Sequence, residues 1–237
     1  RVPMLEIGLA DGSVRAQGQY VTLSDREHAL LTALSLRREV VPRARLAALL
    51  WPELDDYAAR NALSVCLHRL RAHLGTDEAI VRSKDGYALN DGARVDLWEF
   101  DRLATTLRGR SSLAPSELRA LQSAHVKLRE RRPDRMGQWE WFEPAERHLC
   151  ELRLEVAHRL ALDALAREDA SAALDYAEEM IGYDPCDESA RQIAIRAHLA
   201  IGDKGAALRH YRQYRDTLAA ELQVEPSQEI KVLVGLP

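Results

Sequence analysis

The stretch "YAARNALSVCLHRLRAHLG", residues 57–75, holds no acidic residue and carries Arg60, Arg69, Arg71, His68, His73 and Asn61. Turned at about 100° per residue, it resolves into two stripes. Ala59, Leu63, Cys66, Leu67, Leu70 and Leu74 share one arc, which predicts a helix buried along that side. Arg60, Asn61, Ser64, His68 and Arg71 share the arc beside it. Within the stretch this second stripe has no i,i+4 Glu–Lys pair, the usual decoration of a merely solvated helix. Arginine suits guanine edges and phosphates, asparagine suits adenine, and serine suits either. A charged stripe is most often just the wet face of an amphipathic helix, so the flanking sequence decides.

Upstream, Pro52 of "WPELDD" disfavours helical geometry at Trp51 and ends a preceding helix, and Asp55 or Asp56 caps the quoted one. That preceding helix has Leu46, Leu49 and Leu50 as its apolar face, with Pro42 in a turn or in its first turn. Further back, Ser24 stands three residues before Glu27, a capping box opening a helix through Leu30, Leu31 and Leu34. "MLEIGL" and "QYVTL" alternate apolar and polar residues around "ADG" and predict short strands. Downstream, Gly75 closes the quoted helix, and "AIVRSKDGYALN" predicts a hairpin around "KDG". Strands, three helices and a hairpin make an α+β winged helix-turn-helix domain. In that arrangement the third helix is the one that enters the major groove of double-stranded DNA. Arg82 and Lys84 fall at the hairpin tip, and Arg43 and Arg45 open the second helix, where side chains meet backbone phosphates.

From "VDLWEF" onward the pattern is helical almost throughout. "AREDASAALDYAEEMIGYDP" begins at Ala166 and "AIGDKGAALRHYRQYRDTLA" at Ala200, an offset of 34. Ala166/Ala200, Asp169/Asp203 and Ala172-Ala173-Leu174/Ala206-Ala207-Leu208 coincide. A period of 34 with small residues facing a neighbouring helix is the tetratricopeptide signature. The chain is thus expected to be mostly α: a winged-helix domain over 1–96, then an all-α tetratricopeptide-like domain over 97–237. Tyr183-Asp184-Pro185 and Val224-Glu225-Pro226 read as helix stops.

The remaining features exclude more than they suggest. Net charge is -4, and residues 1–96 hold 13 basic and 13 acidic residues, so any DNA-binding charge must be concentrated on one surface. Cys66, Cys150 and Cys186 lack metal-ligand spacing and predict free thiols in a reducing, cytoplasmic setting. The apolar runs fall far short of the roughly 18 residues that span a bilayer. The chain opens on Arg1 and stops on "VLVGLP", which leaves room for a further domain outside it. No HExxH, GxSxG, GxGxxG or GxxxxGK occurs, and no cofactor, metal or catalysis is expected. "QWEWFE", residues 138–143, is expected to pack its aromatics at the junction of the helical domain, not to form a carboxylate pair for catalysis.

Taken together, "RLAALLWPELDDYAARNALSVCLHRLRAHLG", "GYAL" and "VDLWEFDRL" resemble the DNA-binding half of the SARP (Streptomyces antibiotic regulatory protein) family, an OmpR-type winged helix. "WEWFEPAERHLCELRLEVAHRLA" and "YDPCDESARQIAIRAHLAIGDKGAALRHYRQYRDTLAAELQVEPSQE" resemble the bacterial transcriptional activation domain that follows it in those proteins. The likeness covers roughly residues 4–232. It implies a transcriptional activator that binds promoter direct repeats and recruits RNA polymerase through the sigma factor, with room for self-association on DNA. The third helix would enter the major groove through Arg60, Asn61, Ser64, His68 and Arg71, with Arg82 and Lys84 on the wing. His68 and His73 depart from the arginine or other residues common there, which bears on affinity and preferred sequence. The competing expectations are a tetratricopeptide-like protein–protein adaptor, or a regulatory fragment of a longer signalling ATPase regulator.

Overall fold

The computed structural model describes residues 4–108, 113–130 and 136–236, and it divides into two compact units. The first comprises residues 1–102 and 127–150, the second residues 103–126 and 151–237.

The first unit opens with β1 (Leu5–Ile7), β2 (Val14–Ala16) and β3 (Gln19–Tyr20). β1 pairs antiparallel with β2, Leu5 opposite Ala16 and Ile7 opposite Val14. Three helices follow, α1 (Asp25–Ser35), α2 (Arg43–Leu50) and α3 (Asp56–Leu74), with the short β4 (Val41–Pro42) leading into α2. The hairpin β5 (Ile80–Arg82) and β6 (Gly86–Leu89) comes next, and β7 (Ala93–Val95) closes the series. Two small sheets result, ordered β3-β2-β1-β7 and β4-β6-β5. This is a winged helix. It differs from the expectation at its N-terminus, where "VRA" forms an additional strand and "QYVTL" keeps strand geometry only at Gln19–Tyr20.

Local chemistry explains the helix ends. At α1 the Ser24 hydroxyl accepts from the Glu27 amide while the Ser24 amide donates to Glu27 Oε2 at 2.8 Å, completing the capping box. Asp55, not Asp56, caps α3, accepting from the amides of Tyr57 and Ala58 at 3.0 and 2.8 Å. Gly75 ends it at φ 67°, a left-handed geometry that favours glycine. A second glycine is fixed by space: a Cβ on Gly86 would lie 2.0 Å from the Val41 carbonyl oxygen, so the β4–β6 pairing admits no side chain there. Leu30, Leu34, Leu46, Leu50, Leu63 and Leu70 are fully buried and form the trihelical core. The six residues assigned to the buried arc of α3 are its six buried residues.

The aromatics of 138–143 pack differently from expectation. Trp139 stacks on Trp141 with ring centroids 5.2 Å apart, and its ring lies 5.8 Å from His28 of α1. They lie within the first unit, which includes residues 127–150.

The remaining α-helices among the described residues are α4 (Asp96–Leu107), α5 (Pro115–Arg129), α6 (Glu143–Ala166), α7 (Ala170–Tyr183), α8 (Glu188–Ala200), α9 (Lys204–Glu221) and α10 (Gln228–Leu233). In the second unit the 34-residue repeat is visible atom by atom. Asp169 accepts from the Ala172 amide at 3.1 Å, and Asp203 accepts from the Ala206 amide at 2.8 Å. Ala161, Ala164, Ala173, Ala177, Ala194 and Ala197 lie within one buried cluster, and their small size lets α6, α7 and α8 approach closely. α7 stops at Tyr183 and α9 at Glu221, ahead of Pro185 and Pro226. Among the described residues no helix is long and apolar enough to cross a membrane.

Candidate nucleic-acid interface

Burying the apolar arc of α3 against α1 and α2 turns its other stripe outward. Arg60, Asn61 and His68 are exposed, while Ser64 and Arg71 are half-buried. Ser64 and Arg71 are engaged by neighbouring elements, while Arg60, Asn61 and His68 reach solvent.

Arg60 ion-pairs with Asp56, Nη2 to Oδ2 at 3.3 Å, with both side chains largely exposed. That i,i+4 pair lies just outside the quoted stretch, because Asp56 precedes Tyr57; a wet pair of this kind contributes little and yields readily to a phosphate. Ser64 is a hinge between elements. Its hydroxyl donates to the Arg60 carbonyl at 2.9 Å and accepts from Arg43 Nη2, on α2, at 2.6 Å. Arg71 Nη2 donates to the Ile80 carbonyl at 2.8 Å, fixing the end of α3 against the first strand of the hairpin.

These residues converge on one open groove of about 530 Å³. Arg43, Ser64, His68, Arg71 and Arg82 line it from α2, α3 and β5, over Leu67 and Tyr87, with Asp77 as the single acid on its wall. The Nε atoms of Arg43 and Arg71 are buried and find no acceptor, so the face has more donors than the protein can satisfy. Arg60 and Asn61 extend the same stripe toward the N-terminus of α3, and Lys84 lies in the exposed turn between β5 and β6. Arg45 is placed elsewhere. It lines a separate depression with Val41, Leu49, Leu97, Trp141 and His148.

Two residues of α3 not singled out from the sequence share its exposed side. Tyr57 is 78% exposed and Val65 52%. Val65 stands one turn after Asn61 and out of phase with the buried arc; an apolar side chain left in water beside a donor stripe is suited to a thymine methyl. His73, in contrast, is tied down, with Nδ1 3.0 Å from Oε1 of the buried Glu27. Burial alone would raise the Glu27 carboxyl, but the Ser24 hydroxyl and amide and the His73 charge together bring it below its ordinary value. The Cys66 thiol is pushed up to about 11, mainly by burial, and is inert. Among the described residues no group of three or more His, Cys, Asp or Glu is arranged to hold a metal.

An outward helix in a trihelical core, backed by a hairpin, defines the class of winged-helix transcription regulators. Residues 18–89 match the family described as transcriptional regulatory protein, C terminal, and residues 95–234 match the bacterial transcriptional activator domain. The second match spans more than half of the sequence, and the chain belongs to the bacterial transcriptional activator domain family. Both matches are to transcription-regulator domains, not enzymes, in the order that the SARP resemblance implies. The structure is similar to that of Mycobacterium tuberculosis EmbR in complex with a low affinity phosphopeptide, with a TM-score of 0.80 and 24% identity. The likeness, which at this identity is one of fold, covers 98% of this chain and 64% of that one. No curated protein matches the chain.

Proposed function

We propose that the chain is a sequence-specific DNA-binding transcriptional activator of the cytoplasm, with residues 1–96 gripping DNA and residues 97–237 carrying activation. Helix α3 lies in the major groove. Arg60, Asn61 and His68 meet base edges, with Val65 against thymine methyls. Arg43 and Ser64, already joined, hold one phosphate, while Arg71 steadies the end of α3 and offers its remaining donors to the backbone. Arg82 and Lys84 of the wing reach the adjacent groove or backbone. Two copies associate on promoter direct repeats, and the helical part recruits RNA polymerase through the sigma factor.

The observation that carries this reading is the groove joining α2, α3 and β5, with three arginines, a histidine and an excess of donors on its walls. Asp77 is the one acid on its wall, so most of the counter-charge has to come from outside, and a phosphate backbone supplies it in the right form.

The test is selection of bound sites from random duplex DNA, followed by mobility shift on the selected sequence. The expected product is a short motif repeated head to tail at about one helical turn, bound by two copies. Arg60→Ala or Asn61→Ala is expected to weaken the selected site by about 1–3 kcal/mol without loss of fold. A chain that only docks other proteins would enrich no motif, and that result would overturn the reading.

A further inference from the structure

The second unit contains a buried cation with no counter-charge. Arg191, on α8, is only 6% exposed, yet its guanidinium makes no hydrogen bond or ion pair among the described residues, and its Nε is completely enclosed. Buried arginines are rare unless paired, because taking the charge out of water is costly and only a partner offsets it. The surroundings make the lack of a partner worse. His198 of α8 and His210 of α9 face each other with ring centroids 5.0 Å apart, and the Nδ1 of each is buried without a partner. His210 is held below its usual value first by burial and then by the positive charges of His198, Arg191 and Arg209. These four groups therefore share one electrostatic neighbourhood, and none of them supplies a negative charge.

Other ionisable groups nearby do not fill the gap. Tyr214 of α9 and Cys186, just before α8, are the groups that favour the Arg191 charge, and both are neutral at ordinary pH: burial first, then its hydrogen bond to Glu188, raises Tyr214 far above its usual value. Glu188, at the start of α8, is already occupied by Tyr214, Gln192 and Ser227. The acid nearest in sequence is thus spent on α9 and on the cap of α10.

We infer that the α8–α9 face is a binding site for a small phosphoryl-bearing ligand, held by Arg191 with His198, His210 and Arg209. A metal between the two imidazoles is the obvious alternative, but two arginines beside them repel a cation. An oxyanion reverses every defect at once: it accepts from the planar fork of Arg191, gives the orphaned imidazole nitrogens an acceptor, and favours their protonated forms. Up to four positive groups match a dianion with three acceptor oxygens better than a singly charged carboxylate. This site lies on different elements from the DNA-facing groove and stands independently of that reading.

The test is titration of the whole chain with inorganic phosphate at constant ionic strength set by chloride, followed by ring 1H–15N spectra of the histidines. A saturable shift of the His198 and His210 signals in the millimolar range is expected. Arg191→Met keeps the apolar stem and removes the charge. It is expected to lose at least tenfold in phosphate affinity while melting no lower than the parent in chloride. His210→Gln, a milder change, is expected to lose severalfold. Acetate is expected to bind much more weakly. Absence of a saturable shift, equal affinity in Arg191→Met, or acetate binding as well as phosphate would each overturn the assignment.

Discussion

On the proposed reading, two residues of one stripe divide the work: Asn61 reads DNA and Arg71 holds the reader in place. Asn61 is exposed and outside every hydrogen bond described above, so its amide is free to meet adenine. Arg71 is half-buried and spends a donor on the Ile80 carbonyl, which ties α3 to the wing. Asn61→Ala is therefore expected to leave stability within about 0.5 kcal/mol of the parent while costing about 1–3 kcal/mol at adenine-bearing sites. Arg71→Ala should do the reverse in kind: unfolding in urea should show a loss of about 1 kcal/mol, because the Ile80 carbonyl loses its partner while one orphaned Nε is also removed. Its DNA affinity should fall equally for all sequences. If Arg71→Ala changed base preference at one position and left stability untouched, the division of labour argued here would be reversed.

At the scale of elements, the helical unit is joined by a carboxylate that three helices share. Glu179 on α7 accepts from His125 of α5 at 3.1 Å and from Arg153 of α6, and it is nearly buried. Burial alone would raise it, but the two hydrogen bonds and two charges outweigh burial and bring it to about 2. A carboxyl depressed in the folded state stabilises above its unfolded value and loses that contribution as pH falls through the folded one. Stability should therefore decline between roughly pH 4.5 and pH 2, by about 2 kcal/mol after allowance for solvent screening, with His125 and Arg153 left unbalanced. Glu179→Gln should be less stable at pH 7 and show a flatter acid limb in circular dichroism melts; an unchanged acid limb would remove Glu179 as the cause. None of this was legible in sequence, since His125 and Glu179 lie 54 residues apart and neither breaks a helical pattern. What was legible was local: the capping box at Ser24, the buried arc of α3, the Gly75 stop and the repeat of Asp169 and Asp203. The missed strand β2 has three residues, too few to show a period, and it is held by pairing with β1. The parallel pairing of β1 with β7, Leu5 opposite Ala93 and Ile7 opposite Val95, joins segments nearly the whole unit apart. It is secured by Asp96, whose buried carboxylate accepts from the amides of Leu9 and Ala10 at 2.8 and 3.0 Å, a role no spacing rule announces. The candidate groove was legible residue by residue but not as a groove, because Arg43 reaches Ser64 only once α2 has packed on α3.

Charge distribution is the property of the whole molecule that most constrains how it meets DNA. With a net charge of -4, and equal numbers of basic and acidic residues up to position 96, the chain has no general attraction for a polyanion. Binding has to come from the few cations of the groove and the wing, chiefly Arg43, Arg71, Arg82 and Lys84, against Asp77, the one acid on the groove wall. Neutralising about four phosphates per copy predicts a slope of log K against log salt near -3.6, so affinity should drop roughly 10²-fold between 50 and 200 mM salt. Two copies on a repeated site should double that slope, which makes fluorescence anisotropy at several salt concentrations a count of copies as well as contacts. Lys84→Ala should reduce the slope by about 1 per copy and weaken all sequences alike, since a wing lysine meets phosphate without reading a base. Asp77→Asn, removing the one acid of the groove wall, should raise affinity at every salt concentration and leave the slope nearly unchanged. A slope near zero, or a Lys84→Ala variant with the parent's salt dependence, would mean that the cationic face is not where the duplex sits.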